Sequence, residues 1–179
     1  MVPMILKMST LNVSTFAAIV LCSSLCMGQE VNVSRGNGTV LLSVSAQKPY
    51  PLATGQEKLP VLSVACTHKG KKTGHNIVFS SGGAMVGDNP DTKDEQLFLK
   101  MTIGGTTQTT GWVPYGDTIT YAYFAKSDAE RVEFIQALLN SGKVSVEFKP
   151  FLTGAPTTSV FDLSKLRAEM DKSPECAMQ

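Results

Sequence analysis

Cys66, Cys176, His68, His75 and the turn Ser80-Ser81-Gly82-Gly83 are the residues of this 179-residue chain whose types could do chemistry. Two cysteines can shuttle electrons, hold a metal or cross-link the chain. No Cys-x-x-Cys spacing is present to lower a thiol pKa or to chelate. Cys66 and Cys176 therefore read as a structural disulfide closing a loop of about 110 residues, a contribution on the order of 4–5 kcal/mol in the chain-entropy description. His68 follows Cys66 by two positions, a spacing a metal could use. Strand alternation instead buries Cys66, and a bonded cysteine cannot ligate, so both histidines read as solvated residues at a basic hairpin tip.

Ser80 or Ser81 with His75 as base would make a minimal hydrolase. The Gly-x-Ser-x-Gly elbow is missing, and the run equally describes an ordinary glycine turn. Gly70-Lys71-Lys72-Thr73 echoes a phosphate loop, but Ala65 stands where that loop needs its first glycine. Asp88, Asp91, Asp94 and Glu95 offer hard oxygens to calcium without the Asp-x-Asp-x-Asp-Gly spacing, and Lys93 lies among them. They read as a solvated acidic loop. No catalytic, metal or cofactor residue is assigned.

The first 28 residues set the compartment. Lys7, the apolar run Phe16 to Cys22, the small-residue stretch Ser23 to Gly28 and the polar Gln29-Glu30 describe a secretory signal peptide over residues 1–28, cut after Gly28. Cys22 and Cys26 leave with it, so Cys66 and Cys176 remain where thiols oxidise. The alternative is a retained N-terminal membrane anchor, although the apolar core is short and diluted by serines. Leu21 and Leu25 before the two leader cysteines argue against lipidation. Met1, Met4 and Met8 are each possible starts, and a start at Met8 would delete Lys7.

The 16 basic and 15 acidic side chains include Lys7 as the one charge of the leader, so residues 29–179 carry equal numbers and no net charge. Neutrality excludes the basic excess that nucleic-acid binding needs. No later apolar run is long enough to span a membrane as a helix. The 151 residues after the leader are the size of one domain with a sizeable core.

These side chains must be positioned by strands. Gln29 to Gly38 is polar and aperiodic and reads as a loop. Val40, Leu42 and Val44 alternate with polar partners, as do Leu62, Val64 and Cys66; the latter lead through a basic turn into Ile77-Val78-Phe79, a hairpin over 61–80. Residues 48–58 form a connection. Leu97, Leu99, Met101 and Ile103 are the clearest strand, turned at Gly104-Gly105 into Thr106–Trp112. Tyr121 and Tyr123 alternate next. Ser127 and Glu130 then form a capping box for a helix over about 127–141 that carries Phe134, Ile135, Leu138 and Leu139, closed by Gly142. Val144, Val146 and Phe148 return to strand period and Val160-Phe161 is another short strand. A last helix over about 163–172, capped by Asp162 or Ser164, ends at Pro174. The order predicts an α+β domain over 29–179 with a largely antiparallel sheet.

Trp112, Tyr115, Tyr121, Tyr123 and Phe124 concentrate the aromatics. As interface anchors, Trp112 and Tyr115 are the candidate interaction surface; as core, they lie under a helix. Asn32-Val33-Ser34 and Asn37-Gly38-Thr39 match the glycosylation sequon.

Cys66 on a strand, Trp112, the helix core Phe134-Ile135 with Leu138-Leu139, the strand Val144 to Pro150, the turn Phe161-Asp162-Leu163-Ser164 and the terminal Cys176 together resemble the small exported VasI-like proteins associated with bacterial type VI secretion, or their many uncharacterised secreted relatives. The resemblance covers roughly residues 38–176. It implies an exported α+β domain, an accessory role in secretion, and no catalytic residue. The expectation is an exported, periplasmic or extracellular protein without enzymatic activity, working through contacts with an envelope or secreted protein. A type VI secretion accessory is the narrower alternative and a small secreted hydrolase the third.

Overall fold

Val40, Leu42 and Val44 are buried while Thr39, Leu41, Ser43 and Ser45 are only half-buried, so β2 (Thr39–Ser45) presents one apolar face. The same rule builds most of the sheet. In the computed structural model, which describes residues 29–36, 38–69, 72–85, 96–115, 120–150 and 155–178, the chain is α+β and mostly antiparallel strand. The leader 1–28, Asn37, Gly70, Lys71 and the acidic residues Asp88, Asp91, Asp94 and Glu95 lie outside the described residues.

The remaining strands are β1 (Asn32–Gly36), β3 (Tyr50–Pro51), β4 (Glu57–Lys58), β5 (Val61–Lys69), β6 (Lys72–Ser80), β7 (Leu97–Ile103), β8 (Thr106–Pro114), β9 (Thr120–Tyr123), β10 (Lys143–Phe148) and β11 (Thr157–Asp162). Nine form one antiparallel sheet in the order β1-β2-β5-β6-β9-β8-β7-β10-β11, and β3 and β4 form a separate ribbon. The β5–β6 hairpin and the β7–β8 hairpin are as expected. Gly104 and Gly105 both hold positive φ, 55° and 84°, which a two-residue turn matched to strand twist requires.

Ser127 caps helix α1 (Asp128–Ser141): its hydroxyl accepts the Glu130 N–H at 3.1 Å. The Glu130 carboxylate reaches back to the Lys126 N–H at 2.7 Å, one residue beyond the usual reciprocal bond of a capping box. Gly142 ends the helix at φ 64°. The buried stripe Phe134, Ile135, Leu138 and Leu139 joins the inward strand residues in one core. Helix α2 (Leu166–Asp171) packs beside β2, and a 3-10 turn (Pro174–Cys176) follows.

Three expectations need correction. Gln29 to Gly38 is not all loop: β1 pairs with β2 along its length. All five β1 residues are exposed, so neither face buries anything and no apolar period marks the strand. The connection 48–58 carries the small β3–β4 ribbon. The last helix starts at Leu166 with Lys165 at its cap and no side-chain cap bond; Asp162 instead accepts the Ser164 N–H at 3.0 Å in the turn before it.

The sheet curls until its last strand meets its second. Gln47 N–H donates to the Val160 carbonyl at 2.8 Å, and Gln29 bridges the Ser45 carbonyl of β2 and the Asp162 N–H of β11. The far end is closed by the C-terminal turn, bonded through Cys66–Cys176 with Cα atoms 5.1 Å apart. Cys66 and Cys176 are both buried, as strand alternation required of Cys66.

Candidate interaction surface

Alternation along β7 and β8, with the packing of β9 beside them, sorts the aromatics into two sets. Trp112 faces inward and is fully buried, with its ring edge-on to Phe79 (6.3 Å) and to Tyr123 (5.9 Å). Its Nε1–H donates to Thr110 Oγ1 at 2.8 Å, and that hydroxyl donates to the Leu99 carbonyl at 3.2 Å, so the indole is hydrogen-bonded inside the sheet. Phe79 continues the edge-to-face cluster to Phe148 (5.3 Å) and Phe161 (6.3 Å), and Tyr123 stacks on Phe134 of α1 at 4.1 Å. Trp112 is therefore core and does not belong to the exposed surface expected for it. Tyr115, just past the end of β8, is exposed.

The outward set has a different composition. Phe98 lies on the opposite face of β7 from Leu97, Leu99 and Met101 and is 64% exposed; Phe124 is 50% and Tyr115 47% exposed. Phe98 pairs across the ladder with Gly111, and the Phe124 N–H donates to the Gly111 carbonyl at 2.9 Å. Phe98 on β7 and Phe124, the residue after β9, thus flank a glycine of β8. The Gln96 carboxamide lies over that glycine, where a Cβ would fall 2.1 Å from its Nε2. Beside Phe98, the Lys100 ammonium meets Glu147 at 3.1 Å and neutralises the adjoining surface. The result is two exposed phenyl rings and one amide around Gly111, on a sheet whose inner face carries the aromatic core, with Tyr115 exposed four residues further along the chain from Gly111.

Sequence reasoning missed Phe98, although the clearest alternation of the chain signalled it: Phe98 occupies the outward slot between Leu97 and Leu99. Phe124 carries no such signal: it lies just past β9, where Tyr121 and Ala122 are both buried, so burial there does not alternate.

The chemistry-bearing residues are placed apart. His68 is exposed and pairs with Thr73. His75 is not at a turn, as expected, but in β6 directly across from Cys66, with Nε2 3.2 Å from the Cys176 carbonyl. It lines an open cleft of about 430 Å³ with Thr73, Asp128, Glu133, Gln136 and Ala177. Ser81 lies six residues further along the strand direction, about 20 Å away at ~3.3 Å per residue. There it is buried, and its hydroxyl donates to the Gly83 carbonyl. The serine–histidine couple is not assembled. Among the described residues, no three His, Cys, Asp or Glu side chains are grouped to hold a metal ion, and no helix is long and apolar enough to cross a membrane.

Comparison with known proteins finds no matching family model, no matching curated protein and no matching solved structure.

Proposed function

We propose that this protein is exported and acts without catalysis of its own, by binding another envelope or secreted protein through the strip Phe98, Tyr115 and Phe124. The observation that supports this most directly is the exposure of Phe98 on β7 and of Phe124 and Tyr115 just past the ends of β9 and β8, while the single tryptophan packs in the core against Phe79 and Tyr123. Exposed aromatics grouped in this way mark contact sites, because each ring offers much apolar area at little conformational cost. The buried Cys66–Cys176 bond supports an oxidising destination, in agreement with the signal-peptide reading of residues 1–28.

The test is site-specific photo-crosslinking in the native envelope fraction. A crosslinking residue at position 98 or 124 is expected to trap one protein species, and the same residue at Lys143, exposed elsewhere on the molecule, is not. Equal trapping from all three positions would defeat the proposal. The narrower role, an accessory of a type VI secretion machine, rests on the sequence resemblance; identification of the trapped species as a component of that machine is the result it requires.

A further inference from the structure

Gln29 spans the seam between two strands that are not ladder neighbours. Its Oε1 accepts the Asp162 N–H at 2.9 Å on β11, and its Nε2 donates to the Ser45 carbonyl on β2. A primary carboxamide suits this gap because it carries an acceptor and a donor on one planar group. Beside it, the Gln47 N–H to Val160 carbonyl bond crosses the same seam. Val31, two residues on, packs against the core, so the backbone that carries the clasp is itself anchored.

Cleavage after Gly28 would leave Gln29 with the free α-amine of the exported chain. An N-terminal glutamine has a reaction available to no other position. The amine nitrogen attacks its own Cδ, the N–Cδ bond forms, one proton passes from that nitrogen to Nε2, the Cδ–Nε2 bond breaks, and Nε2 departs as ammonia to leave a five-membered lactam. No oxidant or other co-reactant is consumed. The lactam keeps the carbonyl oxygen but loses the Nε2 donor. A carboxamide held between β2 and β11 cannot fold back onto its own amine without releasing both partners.

We propose that Gln29 is a modification site guarded by the fold. In the closed molecule the seam holds its carboxamide away from cyclisation; opening the seam admits the reaction, which then removes the bond to Ser45. The N-terminal residue thereby records how often the seam has opened. This inference rests on the proposed export and cleavage after Gly28.

The test follows the N-terminal peptide of the exported, disulfide-intact protein by mass spectrometry over days, folded in buffer and unfolded in urea at the same pH and temperature. Loss of one ammonia is expected about tenfold or more slowly in the folded protein, because reaction is confined to the locally opened fraction. Gln47→Pro, which removes the neighbouring N–H across the seam, is expected to raise the folded-state rate towards the unfolded one without altering the rate in urea. Equal rates in folded and unfolded wild type, with Gln29 at the terminus, would overturn the guarding role and leave the export reading standing. A terminus at any other residue would overturn the cleavage reading and the inference with it.

Discussion

His75 faces Cys66 across the β5–β6 ladder, and its Nε2 meets the carbonyl of Cys176, the residue to which Cys66 is bonded. A histidine that sequence alone offers to catalysis is thus a neighbour of the disulfide, helping to hold the C-terminal turn over the end of the sheet. Arg35 of β1 clasps the same turn from the other side, donating to Ser173 Oγ at 3.1 Å.

Removing the disulfide should therefore loosen a closure made by three strands. Cys66→Ser with Cys176→Ser is expected to lower stability by on the order of 4–5 kcal/mol, less any residual structure in the unfolded chain. Thermal melting of the variant beside wild type checks this. Intact mass should show the native protein two hydrogen atoms below its reduced value, and thiol reagents should label neither sulfur, folded or in denaturant, until a reductant is added, because the two are bonded to each other.

Trp112 reports the integrity of the core. Its fluorescence should resist acrylamide quenching until unfolding, and Trp112→Ala should cost about 3–5 kcal/mol, the range for deleting a large buried aromatic. Phe98→Ala, which removes a ring from the exposed face, should shift stability by less than about 0.5 kcal/mol. Urea titrations of both variants distinguish the two faces of the sheet.

Two groups set opposite pH limits. Burial is the main cause holding the Tyr123 phenol above its ordinary 10.0, with Glu130 adding to it. A raised folded-state pKa gives stability that is whole below pH 10.0 and lost as pH climbs through the folded value, so Tyr123→Phe should flatten the alkaline loss of melting temperature. Hydrogen bonds from Ser164 hold the Asp162 carboxyl below its ordinary 3.8. That contribution is present above pH 3.8 and disappears as pH falls through the depressed value, so Asp162→Asn should lessen the acid sensitivity below pH 3.8.

The termini of α1 should respond as local caps do. Ser127→Ala removes the acceptor for the Glu130 N–H and is expected to cost about 1 kcal/mol. Gly142→Ala forces a Cβ into a left-handed residue and should cost about 1–2 kcal/mol. Both effects are read as shifts in the urea midpoint at constant slope.

What was legible in the sequence follows burial. Strands with one buried face, such as Val40-Leu42-Val44 and Leu97-Leu99-Met101, announce themselves by period, and the Ser127 to Gly142 helix carries both of its punctuation marks. Strand β1 was illegible because nothing along it is buried. The candidate surface was half legible: residue type singled out Trp112 and Tyr115, but type does not say which face a ring occupies. Parity does, and it places Trp112 inside and Phe98 outside. The bond between Gln29 and β11 joins positions at opposite ends of the chain and leaves no local pattern to read.

Binding by the aromatic strip is tested most directly by capture from the native envelope fraction with wild type and with the double variant Phe98→Ser, Phe124→Ser, at matched melting temperature. Wild type is expected to retain a specific protein partner that the double variant binds at least about 30-fold more weakly, as loss of an aromatic hot spot predicts. Unchanged binding by the double variant, or turnover of a generic ester by wild type that His75→Ala abolishes, would contradict a non-enzymatic protein working through this face.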